Sequence, residues 1–229
     1  MFSKTRTLTI KICGLSTIET LDAALGAGAH MVGFVFFEKS PRHVMLETAQ
    51  NLSVRVGGKA LKVALTVNAD DARFAAIIEH LHPDILQLHG SETPERVQAV
   101  RARFGLPVMK AIGLSGKEDL AAIPPFEAVA DLLLFDAKPP KDAERPGGNG
   151  QSFDWTLLRA LSVRKPWMLS GGLTIETIGD ALAATRAAGI DVSSGVEKAA
   201  GIKDEAKIKA FISEALAAAE KLGLAANSV

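Results

Sequence analysis

The sequence lacks the features that several classes of protein require. A single cysteine among 229 residues excludes an intramolecular disulfide and any paired-cysteine metal site. The net charge is zero, with 26 basic and 26 acidic side chains, so the composition indicates neither a nucleic acid nor an acidic membrane as partner. No stretch approaches the ~18 consecutive apolar residues of a membrane span, and we expect no signal peptide. These absences predict a soluble protein of a reducing compartment, the cytoplasm.

Short apolar runs alternate with helical patterns along the chain. Eight runs begin 22–35 residues apart, at Leu8, His30, Leu61, Ile85, Pro107, Asp131, Pro166 and Gly189. Unbroken apolar runs of this length are typical of parallel strands that are buried on both faces. Eight strand–helix units predict a single (β/α)8 TIM barrel domain over residues 1–229, a fold of roughly 250 residues. An open doubly wound sheet, usually of about five or six strands, is the alternative.

The helical patterns carry recognisable ends. A side chain that can accept a hydrogen bond from the first helical turn precedes several of them. The predicted N-terminal caps are Ser16 (in a capping box with Glu19), Asp70 or Asp71, Thr93 followed by Pro94, Thr174, and Asp204. Gly28 is predicted to end the first helix in a left-handed conformation.

A barrel of this kind carries its chemistry at the carboxyl ends of its strands. Cys13 ends the first strand. It is either a small buried apolar residue or a thiol that faces the active-site mouth. An unperturbed thiol is only about 3% ionised at pH 7, so a working base would need a lowered pKa.

Asp136 ends the sixth strand, after four apolar residues. It either caps the next turn or acts as a general acid. The acid role requires an apolar, water-excluded surrounding, because aspartic acid in water is almost fully ionised at neutral pH. The longest gap between strands follows and contains Gly147, Gly148 and Gly150, which makes it a candidate lid.

Small residues follow the seventh and eighth strands. Gly171 and Gly172 lie in one loop, and Ser194 and Gly195 lie in the next. They are either ordinary turn residues or the recurrent phosphate site of these barrels, where backbone N–H groups face the anion. The segment VEKAAGI, just before the last helix, is predicted to add a short helix N-terminus.

Arg42 and His89 follow the second and fourth strands. Arg42 is either an exposed arginine paired with a neighbouring helix or a planar fork that grips a substrate carboxylate with two hydrogen bonds. His89, and at most His43, can face the mouth, which is too few for a histidine-rich metal site. We predict no metal.

Six blocks at the strand exits resemble the signature of one family when they are taken in chain order. They are KICG, GFVFFEKSPRHV, LQLHG, FDA followed by GGNGQSFDW, LSGG, and IDVSSGVE followed by GIKD. Together they are similar to the motifs of phosphoribosylanthranilate isomerase, an enzyme of tryptophan biosynthesis, over nearly the full chain. The resemblance implies a barrel enzyme without metal or cofactor that performs an aldose–ketose isomerisation, the Amadori rearrangement of N-(5-phosphoribosyl)anthranilate to 1-(2-carboxyphenylamino)-1-deoxyribulose 5-phosphate.

The matching motifs imply a role for each site residue. Cys13 would be the general base and Asp136 the general acid, and Arg42 would hold the anthranilate carboxylate. The phosphate would be held by Gly171, Gly172, Ser194 and Gly195, with His89 and Asp191 near the ribose and Gly147, Gly148 and Gly150 in the lid. The expected partner is this small-molecule substrate, with no nucleic acid or membrane, and the protein is expected to be a monomer or a homodimer.

Three departures from the family pattern lie in loops: GGNG in place of GGTG, LSGG in place of LAGG, and an additional DAERP.

The alternative enzyme is indole-3-glycerol-phosphate synthase, another phosphate-binding barrel, which characteristically has an extension before its first strand and uses lysine and glutamate at strand exits. A sugar-phosphate epimerase would need more histidines. A barrel that binds a phosphorylated ligand without turnover, and a second activity on the histidine-pathway aminoaldose, are further alternatives.

Overall fold

Strands and helices alternate through the part of the chain that the computed structural model describes, residues 8–139, 146–148, 150–159 and 161–224. The barrel strands are β1 (Thr9–Cys13), β2 (Met31–Phe36), β3 (Leu61–Thr66), β4 (Ile85–Leu88), β5 (Val108–Leu114), β6 (Leu132–Ala137), β7 (Trp167–Leu169) and β8 (Gly189–Val192). The α-helices are α1 (Ile18–Gly26), α2 (Leu46–Val56), α3 (Asp71–Leu81), α4 (Pro94–Phe104), α5 (Ile123–Val129), α6 (Ile178–Thr185) and α7 (Glu205–Lys221). A hairpin of β9 (Glu197–Ala199) and β10 (Ile202–Lys203) precedes α7.

The eight strands close into a parallel barrel. Strand β8 pairs with β1, so the sheet is a closed ring and the open doubly wound alternative is wrong. Each strand begins at the residue that its apolar run predicted or one residue later. The predicted (β/α)8 fold is therefore confirmed. That residues 1–229 form one domain stays a prediction.

Side chains alternate between the two faces of each strand. Ile10 and Ile12 face the helices, where they join the main apolar core. Inside the barrel, a second apolar cluster lies near the starts of the strands and includes Met31, Val63 and Met109. The polar residues of the interior therefore lie above this apolar floor, towards the carboxyl ends of the strands.

Three of the predicted helix caps are confirmed. The side chains of Asp70, Thr93 and Asp204 each accept a backbone N–H two or three residues ahead, and Pro94 occupies the first turn of α4. Gly28 follows α1 with a φ of 90°, as predicted. Local hydrogen bonding decides these helix ends, so they are visible in the sequence.

Two predicted caps are wrong. Thr17, not Ser16, caps α1, because the Thr17 hydroxyl accepts the N–H of Thr20. Thr174 accepts the N–H of Thr177, but this bond lies in the turn before α6, which begins only at Ile178. The Thr177 hydroxyl instead donates to the carbonyl of Gly172, so the residues before α6 form a turn that belongs to the loop after β7.

The segment VEKAAGI does not form the predicted short helix. A 3-10 turn (Ser194–Val196) is followed directly by the β9–β10 hairpin. Gly201 turns the hairpin with a φ of 80°, and it packs against the backbone of Pro41 with no room for a side chain. The hairpin carries Glu197 and Lys203 to the rim of the barrel, beside the loop after β2.

Candidate active site

A cavity opens at the carboxyl end of the barrel. Every predicted site residue except Gly195 lines it: Cys13, Arg42, His89, Asp136, Gly147, Gly148, Gly150, Gly171, Gly172, Asp191 and Ser194. They come from six different strand exits and from the segment after β6. The barrel geometry therefore brings residues far apart in the chain to one place.

Gly195 does not reach the cavity. It packs directly against the backbone carbonyl of Leu173, and any side chain at this position would collide with that carbonyl. The structure therefore places Gly195 behind the loop that follows β7, where it lets the loops after β7 and β8 approach each other closely.

Cys13 lies beside a buried ion pair. The ammonium of Lys11 is fully buried and donates to Oδ1 of Asp191 over 2.8 Å, and its charge acts on the Cys13 thiol. Burial raises the pKa of the thiol, the Lys11 charge opposes this rise, and the net pKa is raised. A working base needs a lowered pKa, and the protein alone does not supply it, because burial outweighs the ammonium.

Lys11 keeps its proton in this environment. Burial by itself would lower the pKa of Lys11, but the charges of Asp191 and Cys13 raise it above its ordinary value. A lysine that stays charged without solvent needs such partners, because an unpaired buried charge is strongly unfavourable. The base candidate thus has a permanent positive charge next to it.

Asp136 is held at both oxygens. Its Oδ1 accepts the backbone N–H of Ala137 over 2.8 Å, and its Oδ2 lies 3.2 Å from Nε2 of His89. On the far side of the ring, Nδ1 of His89 lies 3.0 Å from Nε2 of Gln87. The candidate acid is thus one end of a hydrogen-bonded chain that runs into the barrel.

Arg42 is buried and already paired. Its Nε and Nη2 donate to the two carboxylate oxygens of Glu197 over 2.7 and 2.9 Å, and Lys203 donates to the same carboxylate. Burial alone would raise the pKa of Glu197, but hydrogen bonds from Arg42 and the Lys203 charge hold it below its ordinary value. Within the described residues, Nη1 is the guanidinium nitrogen without an acceptor. The expectation of a two-point grip on a substrate carboxylate is therefore wrong for Nε and Nη2, which Glu197 occupies.

The segment after β6 reaches across the cavity. The carbonyl of Gly148 accepts from Nη2 of Arg42 over 3.2 Å. Gly147 lies against the acid candidate: a Cβ placed on it would be 2.7 Å from Nε2 of His89 and 2.9 Å from Oδ2 of Asp136. Residues 140–145 and Asn149, which hold most of the additional DAERP and the GGNG departure, lie outside the described residues.

Substitution of Gly147 by alanine is expected to lower kcat by about 10- to 100-fold. The new methyl group would push His89 and Asp136 from their positions, and a displacement of about 1 Å of a reacting group can cost a factor of about 100. The φ of Gly147 is not left-handed, so the backbone itself accepts alanine. Steady-state kinetics and a thermal melt would measure the two effects separately.

Gly26→Ala is the matched control, since a Cβ there meets nothing within 4 Å. An unchanged kcat in Gly147→Ala would contradict the close packing of the lid on the acid.

Four site residues were missed in the sequence: Lys11, Gln87, Glu197 and Lys203. Lys11 and Gln87 precede Cys13 and His89 by two residues, and the alternation of side chains along a strand predicts that both pairs face the same side. That signal was available. Glu197 and Lys203 belong to the blocks IDVSSGVE and GIKD, but no role was predicted for them, because the segment VEKAAGI was expected to be helical.

The remaining histidines do not extend the site. His43 is not part of the cavity wall. Among the described residues, no group of three or more His, Cys, Asp or Glu side chains is placed to hold a metal ion.

In the same part of the chain, no helix is long and apolar enough to cross a bilayer.

A thiol and a carboxyl group face one cavity at the carboxyl end of a (β/α)8 barrel, between an arginine and two glycine loops. These features define an acid–base enzyme of the barrel class. Residues 10–214 match the model of the N-(5'-phosphoribosyl)anthranilate (PRA) isomerase family. The chain belongs to this family.

Individual relatives agree with the family assignment. The N-(5'-phosphoribosyl)anthranilate isomerase of Beijerinckia indica is 65% identical over 206 residues, 90% of this chain and 93% of that protein. The enzyme of the same name from Rhodopseudomonas palustris BisA53 is 58% identical over 217 residues, 95% of this chain and 99% of that protein. These matches decide against the indole-3-glycerol-phosphate synthase alternative.

Solved structures show the same barrel. Phosphoribosyl anthranilate isomerase from Thermotoga maritima superposes with a TM-score of 0.82 at 33% identity, covering 91% of this chain and 98% of that one. A phosphoribosyl anthranilate isomerase in complex with reduced 1-(O-carboxyphenylamino)-1-deoxyribulose 5-phosphate has a TM-score of 0.78 at 31% identity, with the same coverage.

Proposed function

We propose that this chain isomerises N-(5'-phosphoribosyl)anthranilate, an aldose-to-ketose step of tryptophan biosynthesis, with Asp136 as general acid and Cys13 as general base. One observation carries the assignment of roles: the two groups face the same cavity from β6 and β1, and Arg42 and the loops after β7 and β8 line that cavity too. A substrate with a carboxylate at one end and a phosphate at the other suits this arrangement.

The reaction starts at the sugar ring. Asp136 gives its proton to the ring oxygen, the C1–O bond breaks, and the lone pair of the anilino nitrogen forms the C1=N double bond of a protonated Schiff base. The wall of the same cavity includes the apolar side chains of Phe37, Val67 and Leu173.

Cys13 acts next, at C2. The positive charge of the Schiff base makes the C2 proton acidic, and the thiolate removes it to give an enolamine. The enolamine then tautomerises to the ketone. The active protonation state is thus a thiolate together with a carboxylic acid, and acid and base each contribute about 10²–10⁴ in rate. The ammonium of Lys11 stabilises the thiolate, which burial would otherwise disfavour.

The two anions of the substrate bind at separate ends. We assign the carboxylate to Nη1 of Arg42, because Glu197 holds the other side of the guanidinium in place. We assign the phosphate to the loops at Gly171, Gly172 and Ser194, whose left-handed glycines (φ of 85° and 69° at Gly171 and Gly172) allow the backbone to approach an anion closely. We assign the ribose to His89 and Asp191, which line the same cavity.

The setting of the enzyme is also part of the proposal. A thiol base must stay reduced, as it does in the cytoplasm. The partner is a small-molecule substrate, and the enzyme acts as a monomer or a homodimer. A related structure is described as monomers generated from a dimeric phosphoribosylanthranilate isomerase of Thermotoga maritima.

A fluorescence assay tests the function and the carboxylate assignment together. N-(5'-phosphoribosyl)anthranilate is generated from anthranilate and phosphoribosyl pyrophosphate, and its loss is followed with the wild type and with Arg42→Met. We expect Arg42→Met to lower kcat/KM by about 10- to 100-fold, the worth of a hydrogen bond to a charged group. A phosphoribosyl-aniline analogue, which has no carboxylate, should react equally with both proteins. Loss of the true substrate only at its spontaneous rate with the wild type would end the proposal.

Replacing Lys11 by methionine is expected to lower activity at pH 7 by about 10-fold for each unit by which the pKa of Cys13 rises. The ammonium lowers the pKa of the thiol, so its removal raises that pKa and leaves less thiolate at a given pH. The rising limb of kcat/KM against pH should therefore move to higher pH. Ultraviolet absorbance of the thiolate gives the same titration directly, since the chain has one cysteine.

Asp191→Asn is the control, because it should shift the pKa of Cys13 in the opposite direction. The Asp191 carboxylate raises the pKa of Cys13, so its neutralisation should move the same limb to lower pH. The double variant Lys11→Met/Asp191→Asn avoids leaving either charge buried without a partner. A limb that does not move in either single variant would mean that Cys13 is not the titrating base.

A further inference from the structure

Gln87 is buried in the barrel wall next to the proposed acid. Its side chain has no exposed surface, and it lies on β4 two residues before His89, on the same face of the strand. Its amide nitrogen lies 3.0 Å from Nδ1 of His89. Its amide oxygen is buried and has no hydrogen-bond partner among the described residues. A buried polar oxygen without a partner is costly, so the hydrogen bond from the amide nitrogen to His89 must offset the cost of this orientation.

The amide decides which nitrogen of His89 carries the proton. A neutral imidazole has one N–H donor and one acceptor nitrogen. Because the Gln87 amide presents an N–H to Nδ1, Nδ1 must be the acceptor, and the ring proton must be on Nε2. Nε2 then donates to Oδ2 of Asp136, 3.2 Å away.

This tautomer controls the direction of the acid proton on Asp136. Oδ1 already accepts from the N–H of Ala137, and Oδ2 accepts from His89, so neither of these neighbours can take a proton from Asp136. An added proton therefore occupies a carboxyl lone pair that faces the cavity. With the other tautomer, Nε2 of His89 would have a lone pair, and the Asp136 O–H would donate to it instead of to the substrate.

We propose that Gln87 is a positioning residue for the isomerisation: it holds His89 as the Nε2–H tautomer and thereby directs the Asp136 proton into the cavity. This inference rests on the proposed role of Asp136 as general acid. Gln87 touches neither the cavity nor the substrate, since it is not part of the cavity wall, so its effect must act through His89.

Nitrogen-15 NMR of the histidine side chains tests the inference without any mutation of the site. The shifts separate protonated from unprotonated ring nitrogens, and His89→Asn assigns the His89 signals among the five histidines. We expect a protonated Nε2 and an unprotonated Nδ1 in the wild type. A protonated Nδ1 with a bare Nε2 would overturn the inference.

Two variants then test the consequence for catalysis. In Gln87→Glu the ionised carboxylate offers only acceptor oxygens, so a neutral His89 should carry its proton on Nδ1 and leave Nε2 bare in the NMR spectrum. We then expect kcat to fall by about tenfold, a part of the general-acid contribution, with little change in KM. Gln87→Met keeps the size of the side chain but fixes neither tautomer, and we expect an intermediate fall in kcat. A wild-type kcat in Gln87→Glu, with Nδ1 protonated and Nε2 unprotonated in its spectrum, would overturn the inference.

The acid assignment and the inference can fail separately. An active Asp136→Asn would show that the acid is elsewhere, which removes the basis of the proposed function of that residue. An inactive Asp136→Asn, together with wild-type kcat in both Gln87 variants, would overturn only the role of Gln87.

Discussion

Asp136→Asn is expected to lower kcat by about 10²–10⁴-fold, the usual contribution of a general acid. Asparagine has nearly the same shape and can still accept the N–H of Ala137 at its carbonyl oxygen, so the barrel should fold as before. It has no proton that it can give to the ring oxygen. The fluorescence assay at saturating substrate gives kcat, and a thermal melt confirms that the variant is folded.

Asp131→Asn, at the residue just before the same strand, is a matched control. Asp131 precedes β6 at the opposite end of the barrel, where it pairs with Arg101 and accepts the N–H of Val108. Its replacement should affect stability modestly and leave kcat unchanged. Equal losses of kcat in the two variants would indicate damage to the strand, and an active Asp136→Asn would move the acid to another group.

Cys13→Ala should produce a loss of the same order, about 10²–10⁴-fold in kcat, because the group that removes the C2 proton is gone. KM should change little, since the thiol contributes little to binding either anion of the substrate. The side chain is small and buried, so alanine fits the same space without a large cavity. The same assay at several pH values measures the loss and shows whether a residual base titrates.

Cys13→Ser separates the chemistry of the thiol from its packing. A serine hydroxyl is close in size to the thiol, but it ionises far less readily. We therefore expect Cys13→Ser to be nearly as inactive as Cys13→Ala. If Cys13→Ala kept wild-type kcat, the base would have to be another group on the cavity wall, and Asp191 would be the next candidate.

The strands of this protein were predictable because a buried parallel strand must be apolar on both faces. The apolar runs that begin at Leu61, Ile85 and Gly189 became β3, β4 and β8 with the same first residue. Helix ends were predictable where a local hydrogen bond decides them, as at Asp70. The prediction of a helix end failed at Thr174, because the threonines there form hydrogen bonds within the loop after β7.

Most positions of the candidate site followed from the strand exits. Cys13, Asp136 and Arg42 were placed in the cavity by the rule that a barrel carries its chemistry at the carboxyl ends of its strands. Gly195 also follows a strand but does not line the cavity, because it packs against the backbone of the loop after β7. A position in a loop after a strand does not determine which backbone packs in front of it.

The chain order of apolar runs and polar strand exits was therefore enough for the barrel, the family and the acid and base candidates. The surroundings of those candidates came only from folding. Lys11 meets Asp191 across 180 residues of sequence, and Arg42 meets Glu197 across 155. Such pairs set the charge next to Cys13 and the orientation of Arg42, and they form because barrel closure joins β1 to β8 and brings the hairpin after β8 beside the loop after β2. A local pattern carries no information about a contact that exists only once the ring of strands is closed.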